Sequence, residues 1–249
     1  MRDMKIQKWE PENFVLQYNS VWSFPDRGEW ATHKGDYRGN WSPYVPRNLI
    51  LRYSQRGEMI LDPFVGSGTT LIEAKLLGRD AIGVDINEKA IQIAKDRTNF
   101  VHEGADGKIY LRKGDARKLS FIPDSSIDLV CLHPPYADII RYSKDITEDI
   151  SHLPPSEFVV AMRSVAMEAY RVLKRGKICA LLIADVRKKG FIEPISFQTM
   201  QVFCETGFKL KESIIKQQHN CMMTNKWKET SERNNFLLIA HEHLFILKC

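Results

Sequence analysis

The sequence predicts an α/β fold in a single domain, with seven mostly parallel strands and an antiparallel pair at the sheet edge. Three observations lead there. Apolar runs of strand length alternate with stretches whose apolar positions recur at helical spacing. A glycine-containing turn, Asp62-Pro63-Phe64-Val65-Gly66-Ser67-Gly68-Thr69-Thr70, joins the first run to a helix. The 249 residues, 43% of them hydrophobic, suffice for one continuous core.

Taken in order, residues 1–39 read as an N-terminal extension and residues 40–249 as the core. Asn40-Trp41-Ser42-Pro43-Tyr44-Val45-Pro46 leads into a helix, RNLILRYS, with Pro46 in its first turn and Leu49, Ile50 and Tyr53 as an apolar stripe. Glu58 to Leu61 is a strand ending in Asp62, and TTLIEAKLLG is a helix closed by Gly78. AIGVD is a second strand ending at Asp85, with Asn87 placed to cap the helix EKAIQIAKDR. KIYLRKGDARKL supplies a third strand and then Asp115. Ile127 to Leu132 is a buried-type fourth strand running into His133-Pro134-Pro135-Tyr136. Pro154-Pro155-Ser156 starts a helix that closes at Arg175-Gly176, and KICALLIAD is the fifth strand. Glu193 to Thr206 is a further helix, and KLKESIIKQQ with NNFLLIAHEHLFILK makes the antiparallel pair at the edge.

This layout suggests a ligand. Gly66 and Gly68 can take positive φ and lack a Cβ, so the backbone can approach a bound group at the start of the next helix. Free N–H groups and the helix dipole there suit a carboxylate. Asp85, at the tip of the second strand of a βαβ unit, stands where nucleotide folds bind ribose hydroxyls. Asp115 is placed to accept from an adenine amino group. The paired prolines fix φ and remove two N–H donors, which leaves nearby carbonyls without sheet partners.

The motifs Asp-Pro-Phe-x-Gly-Ser-Gly-Thr-Thr, Gly-Val-Asp-Ile-Asn, Gly-Asp-Ala and x-Pro-Pro-Tyr, in this order, resemble those of the S-adenosylmethionine-dependent DNA amino-methyltransferases, which modify adenine N6 or cytosine N4. The resemblance spans roughly Trp41 to Tyr142 with specific motifs and continues weakly to the end. It implies a Rossmann-like class I methyltransferase fold and S-adenosyl-L-methionine as cofactor. By the same resemblance Asp62, Phe64, Gly66, Gly68 and Thr69 line the methionine moiety, Asp85 with Ile86 holds the ribose, and Asp115 with Ala116 holds the adenine. Trp41 and Tyr44 are candidates for cofactor contact, with aromatic packing at a loop-to-helix junction as the alternative.

His133, Pro134, Pro135 and Tyr136 are the implied catalytic residues. An exocyclic amino nitrogen is nearly planar and a poor nucleophile. Acceptors gripping its hydrogens, the Pro134 carbonyl and a group at position 133, draw it toward a tetrahedral form aimed at the methyl group. Tyr136 is expected to stack on a base flipped from the duplex. The family usually carries Asp or Asn at the first position for adenine and Ser or Thr for cytosine N4. Here it is His133, a one-acceptor imidazole that can hold the amino group and take its proton, or bond to the protein instead. Cytosine N4 is therefore favoured over adenine N6. An RNA amino-methyltransferase and a non-catalytic partner subunit of the same fold are the alternatives.

Composition bounds the rest. The longest apolar stretches are strand-length and MRDMKIQKWE is no secretion signal, so a cytoplasmic protein without a membrane contact is expected. The five cysteines lack Cys-x-x-Cys spacing, and no metal site is expected, His241 and His243 being read as structural. Net charge is +5, with basic clusters at Arg112, Lys113, Arg117 and Lys118, at Arg187 to Lys189, at Lys209, Lys211 and Lys216, and at Lys226 and Lys228. These suit double-stranded DNA as partner. Arg141 and Tyr142 either touch DNA or sit on a solvated loop. A cognate restriction endonuclease is a candidate partner, and the oligomeric state is open. Residues 217–235 are the candidate recognition loop, together with the extension carrying Trp22, Arg27 and Trp30.

Overall fold

The structure, a computed structural model, describes residues 6, 8–220 and 224–249. Cys221, the middle of the 217–235 segment at 221–223 and the side chain of Lys226 lie outside the described residues. The strands are β1 (Val21–Trp22), β2 (Met59–Asp62), β3 (Asp80–Asp85), β4 (Ile109–Lys113), β5 (Ile127–Leu132), β6 (Leu173–Ile183), β7 (Val186–Lys188), β8 (Phe191–Glu193), β9 (Lys209–Gln217) and β10 (His241–Lys248). The helices are α1 (Tyr44–Tyr53), α2 (Thr69–Leu76), α3 (Glu88–Thr98), α4 (Pro155–Val172), α5 (Ile195–Thr206) and α6 (Thr224–Arg233).

The main sheet has the order β1-β9-β10-β6-β5-β2-β3-β4. β6, β5, β2, β3 and β4 are mutually parallel, as alternating strands and crossover helices require. All six residues of β5 are buried, the pattern of a central strand covered on both faces. Alternate strand residues divide the core. Leu61, Val130, Leu132 and Leu181 pack with Phe158, Met162 and Phe203 of α4 and α5. Ile60, Leu129, Cys131 and Leu182 pack with Leu49, Leu71 and Ile91 of α1, α2 and α3. The result is a three-layer α/β/α domain.

Several elements differ from expectation. An eighth strand, the two-residue β1, joins the sheet parallel to β9, with Trp22 opposite Lys216 and only 1% exposed. The antiparallel strand β10 is not at the edge. It inserts between β6 and β9 because its run Leu244 to Leu247 is buried on both faces, a burial that only an interior strand receives. It begins at His241, so 234–240 is connecting chain. β6 begins at Leu173 rather than after Gly176, whose positive φ of 79° lets the chain bend within the strand. The basic run at Arg187 to Lys189 belongs to a β7–β8 hairpin turned at Lys189 and Gly190, both at positive φ, which shifts the next helix start from Glu193 to Ile195. The polar 217–235 segment contains α6. Among the described residues no helix is long and apolar enough to cross a membrane.

Candidate active site

The strand order reverses between β2 and β5, and the carboxyl ends of β2, β3, β4 and β5 open onto one cleft, where α/β sheets place their ligands. Its walls enclose about 850 Å³, part of it open to solvent. Of the residues expected to hold the cofactor, Trp41, Asp62, Phe64, Gly66, Thr69, Asp85, Ile86, Asp115 and Ala116 line it, joined by Tyr37, Asn40, Tyr142 and Asp149.

The glycine turn is built by local bonds. Asp62 accepts the Phe64 N–H at 3.0 Å and the Thr70 hydroxyl, and Gly68 donates to Val65 O at 2.8 Å. Gly66 has φ +47°, and a Cβ there would stand 3.2 Å from the Tyr37 ring. Its N–H is not free for a ligand, because Asp85 Oδ2 accepts it at 2.9 Å. Gly68 is a correction to the expected cofactor set. It lies behind the cleft at φ +86°, where a Cβ would meet Ala94 of α3 at 3.1 Å, so it serves helix packing. Tyr44 is a second correction. One helical turn beyond Trp41, it faces away from the cleft, stacked 5.2 Å from Phe24 and edge-on 4.8 Å from Trp30.

Two carboxylates dominate the electrostatics. Burial pushes Asp62 up to about 7 even though Thr70 and Phe64 oppose it, and burial pushes Asp85 up to about 6 against the Asn87 and Gly66 N–H groups. Asp115 is held by Arg117, whose Nη2 lies 2.7 Å from Oδ2. Asp62, Ser67 and Asn40 line the cleft together with Asp85 and the apolar side chains of Ile86, Ala116, Ile150 and Val165. Carboxylate, hydroxyl and apolar groups lining one cleft suit a zwitterionic amino acid joined to a nucleoside. S-adenosylmethionine, the cofactor of this fold, has that form.

His133 lines this cleft and also a second chamber, formed with Trp41, Pro134, Tyr136, Ile139, Tyr142, Lys216 and Glu242. The imidazole lies against the Trp41 ring, centroids 5.2 Å apart and planes 18° apart. Burial pulls its pKa down to about 4, so it is neutral near pH 7. His133 Nε2 is 2.8 Å from the Tyr136 hydroxyl, which donates to Glu242 Oε1, and Glu242 Oε2 binds Lys216 Nζ at 2.7 Å. Among the described residues no donor is bonded to the Pro134 carbonyl.

Glu242 and Lys216 were not singled out as a pair from sequence. Lys216 was assigned to a phosphate-contacting cluster, but it is directly opposite Glu242 in the β9–β10 ladder. A glutamate in the buried strand HEHLFILK was the available signal, since a buried charge needs a partner. Trp22 and Trp30, expected as recognition aromatics, are 1% and 3% exposed and belong to the core. Arg117 is likewise committed to Asp115 and the Glu148 carbonyl, and Lys188 to Asp138.

Comparison with known proteins agrees with this geometry. Residues 2–96 match a family described as DNA methylase, and residues 54–235 match one described as methyltransferase domain. The Type II methyltransferase M2.LlaDCHI of Lactococcus lactis subsp. cremoris is 41% identical over 86 residues, 33% of this chain and 31% of that protein. The Type II methyltransferase M.HpaI of Haemophilus parainfluenzae is 47% identical over 58 residues, 23% of this chain and 18% of that one. A tRNA (guanine(10)-N2)-dimethyltransferase of Methanothermobacter thermautotrophicus is 37% identical over 101 residues, 40% of this chain and 29% of that one. The chain thus spans less than a third of the length of each of these relatives. Among solved structures, an S-adenosylmethionine-dependent methyltransferase of Methanosarcina mazei superposes with a TM-score of 0.55 at 18% identity, covering 80% of this chain and 95% of that one. The fold is that of the class I methyltransferases. The chain belongs to the methyltransferase domain family.

Proposed function

We propose that the chain transfers a methyl group from S-adenosylmethionine to the exocyclic amino nitrogen of a base flipped out of DNA, cytosine N4 ahead of adenine N6. The observation that carries this reading is the junction between the two chambers. The neutral imidazole of His133 lines both chambers, and the next residue, Pro134, lines the second with a carbonyl bonded to no donor among the described residues. Both are acceptors, and an amino group with two hydrogens is what a pair of acceptors holds.

The cofactor, when bound, supplies an electrophilic methyl on a sulfonium. Asp85 is proposed to accept its ribose hydroxyls, with Asp62 and Thr69 toward the methionine end and Asp115 with Ala116 toward the adenine. Pro134 O and His133 orient the amino nitrogen, and Pro135 turns the loop between the chambers. Tyr136 presents its ring to the base chamber. An imidazole with a pKa near 4 is a poor resting place for a proton at pH 7, so His133 acts as an orienting acceptor and the released proton passes to solvent.

Residues 217–235, with α6 inside them, and the 1–39 extension are proposed to contact the nucleic acid. Trp227, 46% exposed on α6, is the aromatic available there. The tRNA relative supports a second reading, an amino-methyltransferase of RNA. Purified protein given methyl-labelled cofactor with unmethylated genomic DNA or with bulk tRNA separates them. Label in DNA supports the first reading, label only in tRNA replaces the substrate, and label in neither removes both.

A further inference from the structure

The network behind His133 has one consistent assignment of hydrogens. Glu242 is 6% exposed, and Lys216 and Tyr136 each bind one of its carboxylate oxygens. Burial favours its protonated form, but the Lys216 ammonium, with the hydrogen bonds from Lys216 and Tyr136, outweighs that and holds it below its ordinary value. It is therefore a carboxylate, with acceptors only. Burial and the same carboxylate keep the Tyr136 hydroxyl protonated. Its single hydrogen goes to Glu242, so toward His133 the phenol oxygen can only accept.

The Nε2 nitrogen, 2.8 Å away, must then carry the imidazole hydrogen. The other ring nitrogen, Nδ1, has no protein partner among the described residues and is not among the buried unpaired atoms. The ring itself is pinned between Trp41 and the Tyr136 contact, on the wall shared by both chambers.

We infer that Glu242, anchored by Lys216, is a positioning residue that acts through Tyr136 to hold His133 as the Nε2-protonated tautomer, presenting a bare Nδ1 to a hydrogen of the substrate amino group. The opposite tautomer would turn an N–H toward that amino group and repel it. The Tyr136 side chain has two uses in this arrangement, its ring toward the base chamber and its hydroxyl as the relay. The role of Nδ1 rests on the proposed amino-group transfer. The tautomer does not, and it is measured without substrate.

The test is long-range proton–nitrogen NMR on protein labelled with 15N-histidine, with His133→Gln assigning the signal. The expected spectrum shows a neutral ring protonated at Nε2 in the wild type, and a mixture of tautomers or the Nδ1-protonated form in Tyr136→Phe and Glu242→Leu. Turnover in Tyr136→Phe, which keeps the ring, should fall by about tenfold or more with the cofactor KM unchanged. Glu242→Gln, which retains an acceptor oxygen for the phenol, should lose less than Glu242→Leu. An Nδ1-protonated or doubly protonated His133 in the wild type overturns the inference, and so does a tautomer unchanged in both variants. A wild-type Nε2 tautomer that shifts as expected, in a protein that methylates nothing, would keep the network and overturn the amino-transfer reading alone.

Discussion

The Asp85 carboxylate accepts the Gly66 N–H at 2.9 Å with one oxygen and the Asn87 N–H at 2.9 Å with the other, tying the tip of β3 to the glycine turn after β2. One side chain thereby shapes the turn and faces the cleft. Replacing it should affect both. Asp85→Ala is expected to weaken S-adenosylmethionine binding about tenfold to a hundredfold, the loss of one or two hydrogen bonds to a charged acceptor. Calorimetric titration checks this, and an unaltered dissociation constant would remove Asp85 from the cofactor site.

The buried carboxyl of Asp62 makes the stability of the ligand-free protein depend on pH. Its folded pKa is raised to about 7, from an unfolded value of about 4. Between those values the folded state keeps a proton that the unfolded chain has released. The stabilisation is therefore full below about pH 4 and is lost as pH rises through about 7. The melting temperature of Asp62→Asn should fall less than that of the wild type between pH 5 and pH 8. Parallel curves in thermal scans would contradict the assignment.

Gly68 separates packing from binding. At φ +86°, with Ala94 3.1 Å from the place of a Cβ, Gly68→Ala should cost about 1–3 kcal/mol of stability. Denaturant unfolding measures it, and a change below about 0.5 kcal/mol, the scale of an ordinary surface substitution, would show that the turn tolerates a side chain.

Tyr136→Ala removes both the ring and the hydroxyl. Cofactor affinity should be retained, because Tyr136 lines the second chamber and not the cleft. Methyl transfer should fall at least about tenfold, in keeping with a stacking contribution of roughly 1–3 kcal/mol per base. Unchanged turnover would take Tyr136 out of the reaction.

The lining of the cleft was legible in the sequence and much of the second chamber was not. Asp62, Gly66, Thr69 and Asp85 lie in strand-turn-helix units where neighbours in sequence are neighbours in space, so short-range rules place them. Trp41 and Tyr44 show the limit of such rules. They flank the start of one helix, yet the turn between them sends one ring to the cleft and the other to a stack with Phe24 and Trp30. Glu242 and Lys216 are 26 positions apart and meet only because β10 inserts between β6 and β9. Periodicity supplied both strands but not their register, and the register creates the ion pair. The β7–β8 hairpin was hidden differently, its turn at Lys189-Gly190 having been read as part of a basic cluster.

The central claim is methyl transfer to an exocyclic amino nitrogen. Its most direct test is nucleoside mass spectrometry of unmethylated DNA after incubation with the purified protein and S-adenosylmethionine. N4-methylcytosine is the predicted product, and N6-methyladenine would keep the mechanism while changing the base. A methyl group on cytosine C5 would contradict the account, because carbon methylation does not use the paired acceptors proposed at His133 and Pro134.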